Sequence, residues 1–197
     1  MVPGSGGKAN TGGAIGSGGQ GGKTGVGGSR STGGTQPVND PSCLPSASAA
    51  DSGAPEVRLF GTATSDSEEV SKGNVAGNVL DCNMSTRWCA SDSNTGHYVT
   101  IDLVGVHLLS RLEVMWEYPL WAVGSVYKYT VEVSVGSLAY TMAIDKSTNT
   151  ETTQTQSADF PSATSARYVR LTVVGVPPPT ASGVTWASIY EVRIFGE

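Results

Sequence analysis

The side chains best suited to chemistry lie in one polar loop, residues 78–88. Within this turn-prone stretch stand one carboxylate (Asp81), two Asn side chains and two hydroxyls. Calcium takes about six to eight oxygen ligands, which carboxylates, backbone carbonyls and hydroxyls supply together. The composition therefore indicates a hard-cation site that needs a second carboxylate from elsewhere. The alternative is that Asp81 and Asn83 only cap turns through their own backbone, because the spacing is not that of an EF-hand.

The chain has three cysteines, so at least one has no partner within the chain. Cys82 and Cys89 flank part of this loop, whereas Cys43 lies far upstream. One hypothesis is a Cys82–Cys89 disulfide with Cys43 free or bridged elsewhere. The alternative is that Cys82 and Cys89 are separate buried thiols. No CxxC motif or Cys/His cluster indicates zinc.

The stretches around this loop alternate apolar and polar residues with a period of two, which is typical of β-strands. Such alternation occurs in residues 97–103, 111–117, 126–135, 167–174 and 188–195. Gly, Asn, Ser and Pro clusters separate these stretches, and no helical period is persuasive. The pattern predicts an all-β, antiparallel sandwich with little helix, in which Trp88 and Trp116 belong to the core.

The first third of the chain has a different composition. Of 26 Gly residues, 15 lie between Gly4 and Gly34. Residues 1–55 are predicted to be a flexible Gly/Ser/Pro-rich linker, and residues 56–197 a globular domain. Such a tether suggests that a further domain lies upstream and that the protein is secreted or displayed at a cell surface.

The charge distribution excludes one class of partner. Three of the 12 basic residues and none of the 17 acidic ones precede Gln36, so the rest of the chain carries a charge of −8. A net-acidic domain repels phosphate backbones, which disfavours nucleic-acid binding. No run of about 18 apolar residues could cross a membrane as a helix.

Several motifs, in order, resemble the discoidin domain, the factor V/VIII type C domain, whose bacterial members are family 32 carbohydrate-binding modules. The motifs are residues 74–91, 96–103, 111–117, 127–134, 166–171 and 186–196. The resemblance covers roughly residues 57–197. It implies an eight-stranded, galactose-binding-domain-like jelly-roll sandwich with its termini close together and its ligand loops at one end.

The resemblance also implies a structural calcium ion. The metal ligands would be Asn78, Asp81, Asn83, Thr86, Tyr190 and Glu191. Glu191 supplies the second carboxylate and would join the last strand to the first long loop. Cys82 stands where the family usually has Gly, so a positive φ at this position would strain the backbone.

Sugar-binding sites combine an exposed aromatic ring with a few fixed polar groups. The candidate ligand-binding residues are Glu68, Asp92, Glu117, Trp121 and Trp186. Trp186 stands where family members often place the stacking aromatic residue. Galactose specificity is disfavoured, because Cys89 replaces a His typical of galactose-binding members and residues 118–123 contain no Arg. Acidic loops with a Trp-Glu pair look more like members that bind amino sugars or glucans.

Three functions are compatible with these features. The first is a non-catalytic carbohydrate-binding module, monomeric and fused to an upstream domain, that tethers an attached protein to a polysaccharide or glycan. The second is a discoidin-type adhesion domain that binds a protein partner or a membrane surface, with Leu120, Trp121 and Val123 as apolar spikes. The acidic balance disfavours membrane binding, because anionic lipids attract Lys and Arg. The third, a small glycosidase with a carboxylate pair, has no support from residue spacing.

Overall fold

The computed structural model describes residues 57–117, 126–178 and 185–197. They form nine strands: β1 (Val57–Leu59), β2 (Thr62–Ser65), β3 (Trp88–Cys89), β4 (Tyr98–Trp116), β5 (Lys128–Ser134), β6 (Thr141–Lys146), β7 (Thr155–Asp159), β8 (Ser165–Gly175) and β9 (Ser188–Gly196). Within these ranges the helical segments are two short 3₁₀ turns, Val70–Lys72 and Ala76–Leu80. The prediction of an antiparallel β-sandwich with little helix is confirmed, with nine strands in place of eight.

The long strand β4 takes part in both layers of the sandwich. Its first half pairs with β2 and β8, and β8 continues to β5 and β6. Its second half pairs with β9 and β7, and β9 also pairs with β1 and β3. The register shifts between Asp102 and His107, where Val104 adopts a φ of 70°. The two predicted strands 97–103 and 111–117 are therefore two halves of one bent strand.

The core between the layers contains both tryptophans that were predicted there. Trp88 and Trp116 are 0% and 1% exposed. Trp116 stacks on Tyr127 with ring centres 4.5 Å apart, and it meets Tyr129 at 5.2 Å. Such aromatic pairs add about 0.5–1.5 kcal/mol beyond the area that they bury. The apolar period-two positions of β4, β5, β8 and β9 pack around these rings.

The charged residues on the other face of the β9–β4 pair are buried as well. The buried charged side chains on β4 and β9 are Arg111, Glu113, Glu191 and Arg193. Burial of charge is costly unless the charge is paired. Arg111 bonds Glu113, and Arg193 Nη1 lies 3.6 Å from the same carboxylate. The alternation thus identifies the strands, but it does not predict that their polar positions are also shielded from water.

Loops gather at one end of the sandwich. Glu69 N donates to Cys89 O, and Ala90 N donates to Ala187 O, at 2.9 and 3.0 Å. These bonds connect residues 66–74, the β3 region and the stretch before β9. At the opposite end Val57 pairs with Gly196, so the described domain begins and ends on neighbouring strands, as expected.

Candidate functional site

A charged cluster occupies the loop end beside β3. Glu69 Oε1 lies 2.6 Å from Lys72 Nζ, and Glu69 Oε2 accepts a 2.6 Å hydrogen bond from Asn74 Nδ2. The bond from Lys72 lowers the pKa of Glu69 below its usual value. The 3₁₀ turn Val70–Lys72 ends at Gly73, which has a φ of 75°. The chain reverses there, so that Asn74 pairs with Glu69. The tight turn therefore brings three polar side chains together.

A second ion pair lies across the cluster. Arg87 Nη1 and Glu117 Oε1 are 3.0 Å apart, with side chains 33% and 15% exposed. Burial raises the pKa of Tyr190, and the nearby charge of Glu117 raises it further. Burial also raises the pKa of the Cys89 thiol to about 11, with Glu69 and Glu117 acting in the same direction. The carboxylates of both ion pairs therefore lie near a buried neutral thiol.

Trp186 provides the aromatic surface of the cluster. It is half-buried, and Lys72 Nζ lies 5.8 Å from the centre of its ring. Its backbone carbonyl accepts a 3.0 Å hydrogen bond from Tyr127 Oη, and Tyr127 in turn stacks on Trp116. The backbone at Trp186 is thus tied to the core through Tyr127. We call Glu69, Lys72, Asn74, Arg87, Glu117 and Trp186 the loop-end cluster.

The five predicted ligand-binding residues do not all lie in one place. Glu117 and Trp186 belong to the loop-end cluster. Glu68 instead accepts hydrogen bonds from Ser65 Oγ and Ala76 N, which hold the start of the 3₁₀ turn Ala76–Leu80. Asp92 bonds His97 and the backbone of its own turn. Trp121 lies outside the described residues.

Lys72, Asn74 and Arg87 belong to the cluster but are not among the predicted residues, and the cluster contains Glu69, the neighbour of the predicted Glu68. Glu69 and Lys72 are three residues apart, a spacing at which opposite charges meet on one helical turn. This signal is present in the sequence. Arg87 and Glu117 are remote in the chain, and only the fold brings them together.

Three of the six predicted metal ligands converge in the loop 78–88. Thr86 Oγ1 lies 2.6 Å from Asp81 Oδ2 and 2.8 Å from Asn83 O. The Asx-turn alternative is also realised, since Asp81 Oδ1 accepts from Asn83 N, and Asn83 Oδ1 accepts from Ser85 N. Asn78 uses its amide to bond Gly73 O and Arg87 O. The loop is therefore ordered by its own side chains around a cluster of oxygens.

The second predicted carboxylate reaches the same loop. Glu191 Oε2 accepts a 3.1 Å hydrogen bond from Cys82 N, the residue after Asp81. Cys82 has a φ of 59°, so the predicted backbone strain at this position is confirmed. Burial raises the pKa of Glu191 to about 7, against the opposing effect of Arg58. Glu191 thus joins β9 to the loop, while the ring of Tyr190 lies near Glu117.

No group of three or more His, Cys, Asp or Glu side chains in residues 57–117, 126–178 and 185–197 could hold a metal ion. A cation here would depend on the carbonyl and hydroxyl oxygens of the loop. The oxygen-only donor set with two carboxylates nevertheless has the chemistry that calcium prefers.

The hypothesis of a Cys82–Cys89 disulfide is wrong. Cys89 is a free, buried thiol, whereas Cys82 is disulfide-bonded. The alternative of two separate thiols is also wrong, because it holds only for Cys89. Both cysteines are buried, and their spacing in the sequence does not show which of them forms a disulfide.

The ordered motifs and the sandwich agree with a match to one family model. The model of the F5/8 type C domain matches residues 62–192. The chain belongs to the F5/8 type C domain family. A search of curated proteins found no match.

Several solved structures that this chain resembles are carbohydrate-binding modules. One is the CBM32 of AlyQ in complex with 4,5-unsaturated mannuronic acid, with 26% identity, a TM-score of 0.55, and coverage of 71% of this chain and 98% of that one. Another is a point mutant of chitosan-binding module 1 from a chitosanase/glucanase of Paenibacillus sp. IK-5, with 26% identity and a TM-score of 0.55, and the match covers 70% of this chain and 96% of that one.

A truncated AlyQ with CBM32 and alginate lyase domains is 26% identical, with a TM-score of 0.54, and the match covers 72% of this chain and 34% of that one. The F5/8 type C fold thus occurs there beside a catalytic domain. In the described part of the present chain, no helix has the length and apolarity needed to cross a membrane.

Proposed function

We propose that this F5/8 type C domain is a non-catalytic carbohydrate-binding module that uses the loop-end cluster to hold a glycan. The observation that carries the proposal is the position of Trp186, a half-buried residue whose backbone is held by Tyr127 and whose ring is bordered by Lys72. A sugar ring has an apolar C–H face and a polar rim, so it matches an aromatic surface with fixed polar groups beside it. The likeness to two modules at 26% identity supports the same function.

The charges of the cluster favour neutral or amino sugars over uronic acids. Its two cations are each bonded to a carboxylate: Lys72 to Glu69 and Arg87 to Glu117. A uronate would compete with these carboxylates and would meet a domain, residues 56–197, whose 9 basic and 15 acidic residues give a net charge of −6. A protonated amino group could instead approach Glu69 or Glu117 directly. We therefore propose a glucan or an amino-sugar polymer such as chitosan as the ligand.

We further propose that calcium binds at the loop 78–88 and stiffens the same end of the domain. Asp81 Oδ2, Asn83 O and Thr86 Oγ1 already lie close enough to share one cation, and Glu191 is tied to the adjacent residue. Carbonyl oxygens of Asn78 and Tyr190 would complete the shell. Calcium would act as a structural ion that joins β9 to this loop.

The module would raise the local concentration of an attached protein at a polysaccharide. The chain would then be monomeric, fused to an upstream domain, and secreted or held at a cell surface. The linker proposed for residues 1–55 lies outside the described residues. So do Leu120, Trp121 and Val123, on which the alternative of membrane adhesion depends.

Isothermal titration calorimetry against chitosan, β-glucan and mannuronate oligomers, in the presence of calcium, tests the proposal. We expect binding to a neutral or amino-sugar oligomer, and a loss of about tenfold or more in Trp186→Ala. Tyr168→Ala is the matched control, because Tyr168 is also a half-buried aromatic residue but stacks under Arg167 on β8. Equal losses in both variants, or no binding to any oligomer, would contradict the proposal.

A further inference from the structure

The ring of His97 lies between two carboxylates from different loops. Nδ1 is 2.8 Å from Asp66 Oδ2, and Nε2 is 2.9 Å from Asp92 Oδ1. Asp66 belongs to the loop after β2, and Asp92 to the loop after β3. The imidazole side chain is 13% exposed. One side chain thus bridges two loops at the end of the sandwich that carries the loop-end cluster.

The two short contacts determine the protonation state of His97 in this bridge. An ionised carboxylate oxygen only accepts hydrogen bonds, so each ring nitrogen must donate one. Neutral imidazole has a single N–H, and only the imidazolium ion has two. Both contacts are therefore hydrogen bonds only while His97 is protonated. Loss of the proton leaves one nitrogen lone pair facing a carboxylate.

Each element packed against His97 contributes identifiable groups. Asp66 also accepts a 2.7 Å bond from Tyr98 N, and Asp92 accepts a 2.8 Å bond from Asn94 N. β8 contributes backbone, with Val173 N donating to His97 O. Burial lowers the pKa of His97, but the hydrogen bonds to Asp92 and Asp66 outweigh it and raise the pKa above its usual value. The bond to His97 also lowers the pKa of Asp92.

The bridged loops are connected to the loop-end cluster. Ser67 Oγ lies 2.8 Å from Ser91 Oγ and accepts a 3.0 Å bond from Ser91 N. Two residues further along the same loop, Glu69 N donates to Cys89 O. The position of Glu69 therefore depends on how residues 66–69 are held against residues 89–92.

We propose that protonated His97 is a positioning residue that clamps residues 66–69 to residues 91–96, and that its deprotonation loosens the glycan site. The part that concerns glycan rests on the proposed function. The clamp is complete at pH values below the ordinary His pKa of about 6.5, and it is lost as pH rises through the raised pKa of folded His97.

Nuclear magnetic resonance titration of the imidazoles tests the clamp without any ligand. The chain has two histidines, His97 and His107, so His107→Gln assigns the signals. We expect the pKa of His97 to exceed its value in the urea-unfolded chain and to fall in Asp92→Asn and in Asp66→Asn. Amide exchange at Glu69 and Ser91 should accelerate, relative to the intrinsic rate, above the pKa of His97. A pKa unchanged by both substitutions, or exchange without this step, would overturn the proposal.

Calorimetry then tests the coupling to glycan. We expect the association constant to fall between about pH 5.5 and about pH 8.5 in the wild type and in His107→Gln. In His97→Gln it should be low, and the decrease that follows the pKa of His97 should be absent. The same pH profile in wild type and His97→Gln would overturn the coupling. If no glycan binds at any pH, the proposed function fails, while the imidazole titration still decides whether the clamp exists.

Discussion

Arg58 Nη2 lies 2.5 Å from Glu191 Oε1, and the two side chains are 5% and 0% exposed. Arg58 is on β1, Glu191 is on β9, and Arg58 Nη1 also lies 3.2 Å from Cys82 Sγ. A buried guanidinium therefore stands where the last strand meets the loop proposed to bind calcium. Glu191 is therefore paired with a cation, Arg58, even without a metal ion. The stability of the contact between β1, β9 and the loop 78–88 depends on Arg58.

Substitution Arg58→Gln should destabilise the domain by about 3–5 kcal/mol, because it leaves a buried carboxylate without its partner. The measurement is urea unfolding, with Arg58→Met/Glu191→Met as the control that removes both charges. The double variant should be closer to wild type than Arg58→Gln. If Arg58→Gln unfolds at the wild-type urea concentration, the pair is not a buried determinant of stability. Calcium should restore part of the loss if it contacts Glu191.

Substitution Asp81→Asn should abolish the stabilisation by calcium. A ligand at 100 times its Kd adds about 2.7 kcal/mol to the free energy of unfolding. Thermal unfolding with calcium, magnesium or a chelator measures the effect. Asp145→Asn is the matched control, since Asp145 also accepts a backbone N–H two residues ahead. Equal calcium shifts in wild type and Asp81→Asn, or none in wild type, would contradict the proposed metal site.

Thiol titration should find no reactive cysteine in the native protein, one in the unfolded protein and three after reduction. Cys89 is buried with its pKa raised to about 11, so little thiolate forms near neutral pH. Because Cys82 is disulfide-bonded and Cys89 is a thiol, we predict that Cys43, the third cysteine of the sequence, is the partner of Cys82. Peptide mapping without reductant should recover a Cys43–Cys82 peptide. Recovery of a Cys82–Cys89 peptide would contradict this assignment.

Much of the fold can be predicted because period-two alternation is a local property. It identifies the stretches that form β5, β8, β9 and both halves of β4. It does not identify the short strands β1, β2, β3, β6 and β7. β6 and β7 have weaker alternation, and β3 has only two residues, so pairing with neighbours rather than local pattern defines them.

Sequence by itself determined the sandwich class, the two core tryptophans and the oxygen-rich loop, because residue type and spacing express these features directly. Only the tertiary structure decided which charges meet. It paired Arg87 with Glu117 and Arg58 with Glu191, and it placed Glu68 and Asp92 where they support loops. The physical reason is that the free energy of a charge depends on its burial and its nearest partner, and both are set by chain segments remote in sequence.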